Sequence, residues 1–175
     1  KTFGITWSDN YARYLGIDPT QGLTAALDEL NIQHVRLPTY WTEVESTRGQ
    51  FNWSAIDTQL DLIASRGAHV TLVVGAKQPR WPECWIPDWA KALPSRERRE
   101  AQLAYVRATI EHFKSRQVII RWQIENEPEF FSSFGDCAYY DRTILKEEID
   151  LVKSLDATKR LLTLSTTASG ELSTW

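Results

Sequence analysis

A carboxyl that can gain and lose a proton stands beside an amide in Asn126-Glu127-Pro128, at the end of the run from Val118 to Glu125. Glutamate there is a candidate general acid/base, and asparagine beside it can hold a hydroxyl of the reacting molecule. The run opens Val118-Ile119-Ile120, short, β-branched and apolar on both parities, which predicts a parallel strand over 118–124 buried on both faces. Pro128 has no N–H for a ladder and biases Glu127 toward extended geometry, so the strand is expected to stop here. That presents the pair at a C-terminal strand edge, where parallel α/β proteins bind ligands. Adjacent strand residues face opposite sides, so Asn126 and Glu127 share one site only if the strand has ended or bulges. The alternative for Glu127 is a solvated carboxyl in an acidic cluster with Glu125 and Glu129.

Arg36 lies between Val35 and Leu37 on a short apolar strand and needs a partner there. Either it forms a structural salt bridge, with Glu43 or Glu125, or it serves a site. Eight tryptophans are present, several in loop-like segments. Trp7, Trp41, Trp81 and Trp85 are candidate stacking platforms for a flat ligand, the alternative being lids over the core. Trp89, where a loop turns helical, reads as core, and His34 as a satisfied core or barrel-bottom histidine. Three histidines and two cysteines without close spacing give no metal site, and no cofactor is expected.

The elements that would carry these residues alternate. Strands are expected over 3–7, 34–37, 69–75, 118–124 and 161–165. Helices are expected over 19–30, with Asp18 as N-cap and Pro19 first; from Ser54, as cap, to Gly67; over 95–114; and over 141–155. Long loops over 76–94 and 125–140 are rich in aromatics. Repeated βαβ units mean a parallel sheet, either an open doubly wound one or a (β/α)8 barrel. No Gly-x-Gly-x-x-Gly follows the first strand, which removes the dinucleotide fingerprint, and long aromatic loops suit a barrel rim. A full barrel takes about 250 residues; 175 residues with five strands and four helices read as one domain, the N-terminal part of such a barrel.

Net charge is −3 with the signs intermixed, so neither nucleic acid nor anionic membrane is expected as a partner. No run resembles a membrane span or a signal peptide, and a chain opening at Lys1 without any Met is expected to be processed or excised.

Four blocks together resemble the retaining glycoside hydrolases of clan A, the (β/α)8 superfamily with the family 5 cellulase-like and family 42 β-galactosidase-like enzymes. They are His34-Val35-Arg36-Leu37-Pro38 with Trp41 and Glu43; Gly49-Gln50-Phe51-Asn52-Trp53 with Ile56-Asp57 and Leu60-Asp61; Val70 to Gly75 with Pro79-Arg80-Trp81; and Asn126-Glu127-Pro128. The resemblance implies Glu127 as general acid/base, Asn126 on the sugar 2-hydroxyl and Arg36 orienting the nucleophile. It places the nucleophile on a seventh strand, so this chain alone is expected to be inactive or weakly active. Glu171, after strand five, is not equated with that nucleophile. An oligo- or polysaccharide is the implied partner. A non-catalytic carbohydrate-binding partial barrel, completed by a second copy or a C-terminal half-barrel, is the alternative. In a barrel the loops holding Cys84 and Cys137 are neighbours at one rim. Either the two cysteines form a disulfide, which favours a secreted or periplasmic protein, or they are free thiols.

Overall fold

A computed structural model describes residues 3–130 and 135–164, with 162–164 by backbone alone. Glu171 and Trp175 lie outside the described residues. Five strands, β1 (Gly4–Thr6), β2 (His34–Pro38), β3 (His69–Val74), β4 (Ile119–Asn126) and β5 (Arg160–Leu164), form one sheet in the order β1-β2-β3-β4-β5. Every pairing is parallel. A doubly wound sheet reverses its strand order at a switch point. Here each strand lies beside its sequence neighbour throughout, which is the winding of a barrel, so the doubly wound alternative falls.

Seven helices are described: α1 (Asp9–Tyr14), α2 (Pro19–Glu29), α3 (Trp41–Val44), α4 (Ser54–Ser65), α5 (Asp88–Lys91), α6 (Ser95–Phe113) and α7 (Leu145–Leu155). Asp18 caps α2 through its side chain on Gln21 N (2.8 Å), with Pro19 at the first position as expected. The helix stops one residue early, and Leu30 is left exposed. Ser54 is not the cap of α4. Trp53 holds the cap position without a side-chain cap, and Asn52 before it accepts through Oδ1 from Ser54 N (3.1 Å) and Ser54 Oγ (2.7 Å). Asp141 likewise opens a short 3-10 turn (Arg142–Ile144) ahead of α7 rather than an α-helix. The helices α1, α3 and α5 were not expected, because four to six residues are too few to show a helical period.

Alternation along the strands sorts the side chains. Val35, Leu37, Val70, Leu72, Val74, Trp122 and Ile124 face the helices and are buried with Leu23, Ile56, Leu60, Ile63, Tyr105, Ile110 and Phe113. Full burial of such side chains stabilises by about 1.5–3 kcal/mol each, so this outer layer is the core. The hollow face of the sheet is polar. His34 Nε2 meets Thr71 Oγ1 at 2.8 Å, with Arg121 Nη1 3.4 Å away. Burial, with Arg121 and His69 nearby, keeps the His34 imidazole below its ordinary range, as expected of a satisfied histidine at the barrel floor.

Candidate active site

Arg36 sits between the core residues Val35 and Leu37 and on the opposite face, so its side chain enters the hollow. Its planar fork spans two acceptors of β4: Nε donates to Gln123 Oε1 (2.7 Å) and Nη2 to Asn126 Oδ1 (2.6 Å). The alternative, a salt bridge to Glu43 or Glu125, is not formed. Glu43 lies in a separate small pocket with Asn10 and Arg13, and Glu125 faces the helices. Burial pushes the Arg36 guanidinium down to about 10, opposed chiefly by the attraction of Glu127. It stays cationic at neutral pH.

The strand runs two residues past the expected end, and a bulge explains how adjacent residues meet. Glu125 has φ +58°, a left-handed conformation, and the β4–β5 register shifts between Gln123 and Asn126. Alternation would send Glu125 into the hollow. The left-handed turn sends it outward, and Asn126 takes the inward place beside Arg36. Accepting from Arg36 fixes the Asn126 amide with both N–H donors turned away from the guanidinium. Glu127 follows at φ +51° and is half-buried. A strand that turns left-handed twice in three residues, both times at glutamate, holds strain of the kind found at functional sites.

The loop after β3 locks onto this edge. Asn126 N donates to Lys77 O (2.7 Å), and Lys77 Nζ donates to Glu127 O (2.7 Å) and Phe130 O (3.0 Å). Glu83, from the same loop and left-handed at φ +71°, brings a second carboxyl toward Arg36 and Glu127. Burial raises it above the usual carboxylate range; Glu127 adds to that, and Lys77 and Arg36 oppose it. Cys84 and Cys137 are joined as a disulfide between the β3 and β4 loops.

The tryptophans divide. Trp41 is not a platform. It is fully enclosed, stacked on Tyr105 (5.4 Å between ring centroids) and edge-on to Trp89, with Nε1 on Glu45 Oε2 (2.7 Å), so it has no face for a ligand. Trp89 packs on the core as expected. Trp7 is half-buried, its Nε1 on Asp9 Oδ1 (2.8 Å). Trp85 is half-buried and stacked on Tyr40 at 3.7 Å. Trp81 is 64 % exposed and lines a hollow of about 420 Å³ with Tyr11, Tyr14 and Arg80. Arg80 lies over the Tyr11 ring at 5.0 Å.

The structure therefore brings Arg36, Asn126 and Glu127 together and leaves Trp81 and Trp85 in the loop after β3, while Trp7 packs against the core and Gly22 of α2 and is not a platform. Gln123, Lys77, Glu83, Tyr11 and Tyr14 were missed from sequence. Gln123 shares its parity with Arg121, which was the available signal. Among the described residues no group of histidines, cysteines and carboxylates is placed to hold a metal.

No protein-family model matches the chain, and no curated protein matches it. Solved structures do. An exo-β-1,4-mannosidase, Op5Man5, from Opitutaceae bacterium strain TAV5 aligns with TM-score 0.70 at 16% identity, over 93% of this chain and 31% of that one. GH5_18 from Streptomyces cattleya, in complex with GlcNAc, gives 0.69 at 17% identity over 94% and 44%. Xylanase 10B from Thermotoga maritima gives 0.65 at 13% identity over 93% and 48%. The chain spans less than half the length of each. Its fold is that of the glycoside hydrolases of clan A, as a partial (β/α)8 barrel of five strands.

Proposed function

We propose that this chain is the acid/base half of a retaining glycoside hydrolase acting on β-glycosidic bonds. The observation that carries it is the Arg36 fork: one guanidinium gathers Asn126 and Gln123, with Glu127 as its chief attractive charge, at the C-terminal edge of a barrel-wound sheet. Glu127 acts as general acid, protonating the leaving oxygen, and then as general base toward water. The donors of Asn126 hold the sugar 2-hydroxyl. Arg36 orients the attacking carboxylate, which in a retaining mechanism stands about 5–5.5 Å from the acid and is supplied by polypeptide beyond the five strands. Trp81 and Trp85 offer indole surface to an oligo- or polysaccharide, Trp81 with Tyr11 and Tyr14 beside it.

A second reading is a carbohydrate-binding partial barrel without catalysis, completed by a second copy or a C-terminal partner. It is supported by the exposed Trp81, which with Tyr11 and Tyr14 lines a hollow able to stack a sugar without any reacting carboxyl. Hydrolysis of aryl β-glycosides and calorimetric binding of oligosaccharides, on wild type and Glu127→Gln, separate the two. The expected result is hydrolysis lowered by about 10²–10⁴-fold in the variant, with affinity retained within about threefold. Binding without hydrolysis by wild type supports the second reading. Equal hydrolysis by both proteins, or no sugar bound by either, overturns the proposal.

A further inference from the structure

We propose that Glu125 and Glu148 form a carboxyl pair holding a single proton, with Glu125 as the positioning residue that sets the Asn126–Glu127 edge. This rests on the reading of Glu127 as the reacting carboxyl. Both side chains are wholly buried, Glu125 from the β4 bulge and Glu148 from α7. One amide nitrogen touches both: Gln102 Nε2, from α6, is 3.0 Å from Glu125 Oε1 and 2.8 Å from Glu148 Oε1.

Among the described residues no cation rests against them. Tyr105 of α6 and Tyr140, ahead of the 3-10 turn, face the pair as un-ionised phenols, both held above their ordinary range by burial first and then, apart from the Tyr105 hydrogen bonds that oppose it, by the two carboxyls. Arg99 acts on Glu148 from further off, its guanidinium engaged with Asp141 and Glu147. The Lys77 ammonium is turned to the Glu127 and Phe130 carbonyls. Two adjacent anions in such a place are untenable, so one carboxyl keeps a proton.

Hydrogen bonds decide which. Glu125 accepts N–H from Ala76 (2.9 Å), Lys77 and Gln102, which favours its charged form. Glu148 Oε2 meets no other group among the described residues, and the hydrogen bond between the two carboxyls needs one proton. Burial above all pushes both carboxyls upward: Glu125 well above its ordinary range, with Glu148 adding to the rise and the Ala76 and Lys77 N–H groups opposing it, and Glu148 to about 7, opposed by its Gln102 and Glu125 hydrogen bonds.

The charge on Glu125 has a positioning consequence. Its two backbone donors begin the β3 loop, the loop whose Lys77 carbonyl and ammonium hold Asn126 N and the Glu127 carbonyl. A Cβ at Gly75 would fall on this carboxyl, so the strand, the loop and the acid are packed as one piece. A glutamate at the left-handed position, in place of the expected glycine, is what makes the clamp.

Glu148→Gln puts a neutral amide where the protonated acid stands. Glu125→Asp keeps the charge but withdraws it by one methylene from its donors. Infrared spectra of wild type at pH 7 are expected to show a protonated-carboxyl carbonyl band that Glu148→Gln lacks. The folded chain keeps a proton that the unfolded chain releases above about pH 4.3, so wild type loses stability as pH rises from there through about 7. The Tm of Glu148→Gln relative to wild type is therefore expected to climb between pH 5 and 8. Oligosaccharide affinity should fall about tenfold in Glu125→Asp, with a shifted ¹⁵N resonance of Arg36 Nε, and stay within about twofold in Glu148→Gln. No protonated band in wild type, or a Glu148→Gln chain with the wild-type pH slope, overturns the pair. An unmoved Arg36 resonance in Glu125→Asp overturns the positioning. The band and the slope do not involve Glu127, so failure of the acid/base reading in Glu127→Gln is separately visible.

Discussion

Arg36 holds two acceptors in one plane, and the geometry depends on guanidinium rather than on positive charge alone. A lysine there has a point charge that cannot span Gln123 Oε1 and Asn126 Oδ1 together. Arg36→Lys is expected to fold and to lose about tenfold in oligosaccharide affinity, the equivalent of one hydrogen bond, as read by calorimetry. Gly75→Ala tests the neighbouring constraint. With φ +121° and the Glu125 carboxyl in the way, it should lower stability by roughly 3 kcal/mol or more in urea unfolding. That Arg36 needed a partner was legible in the sequence; its identity was not. Of the two acids considered as salt-bridge partners, Glu43 sits in another pocket, and Glu125 is turned away by its own left-handed backbone, which nothing in a glutamate's identity announces. The same turn resolves the parity conflict between Asn126 and Glu127, which the sequence posed but did not answer.

At the scale of elements, the two long loops behave as a unit. The Cys84–Cys137 bond ties the β3 loop to the β4 loop, and a Cβ at Gly135 would meet Pro82 O at 2.6 Å, so the loops touch closely beside the bond. Replacing both cysteines with serine is expected to cost about 2–5 kcal/mol, measured as a lower denaturation midpoint that reductant no longer shifts. The turn before β5 is pinned differently. Burial raises Asp156, but hydrogen bonds from Thr158, Trp122 and Lys159 outweigh it and hold the carboxyl well below its usual range. A depressed acid stabilises above its unfolded pKa and loses that contribution as pH falls. Asp156→Asn should therefore cost on the order of 1–3 kcal/mol at pH 7, with the gap to wild type narrowing toward pH 3 in urea unfolding. The long helices were legible because an apolar face repeats over several turns. The short ones and the Asn52–Ser54 bonds ahead of α4 were not, since their logic is local hydrogen bonding.

For the whole molecule, the strand order decided between two architectures that alternation alone could not separate. Among the described residues β1 and β5 each have one strand neighbour, and an unpaired strand edge invites pairing. The chain is expected to sediment as more than one copy at micromolar concentration, shifting toward one copy when a C-terminal half-barrel segment is added. A strict monomer at all concentrations would oppose this.

The oily side chains of this protein lie between sheet and helices, while His34, Arg36, Thr71, Arg121, Gln123 and Asn126 occupy the concave side, already bonded to one another. Folding work and chemical work are thus divided between opposite faces of the same strands. Residues of the concavity can be exchanged without removing the apolar contacts that hold the strands to their helices. Substitution on that side should change what is recognised before it changes whether the chain folds.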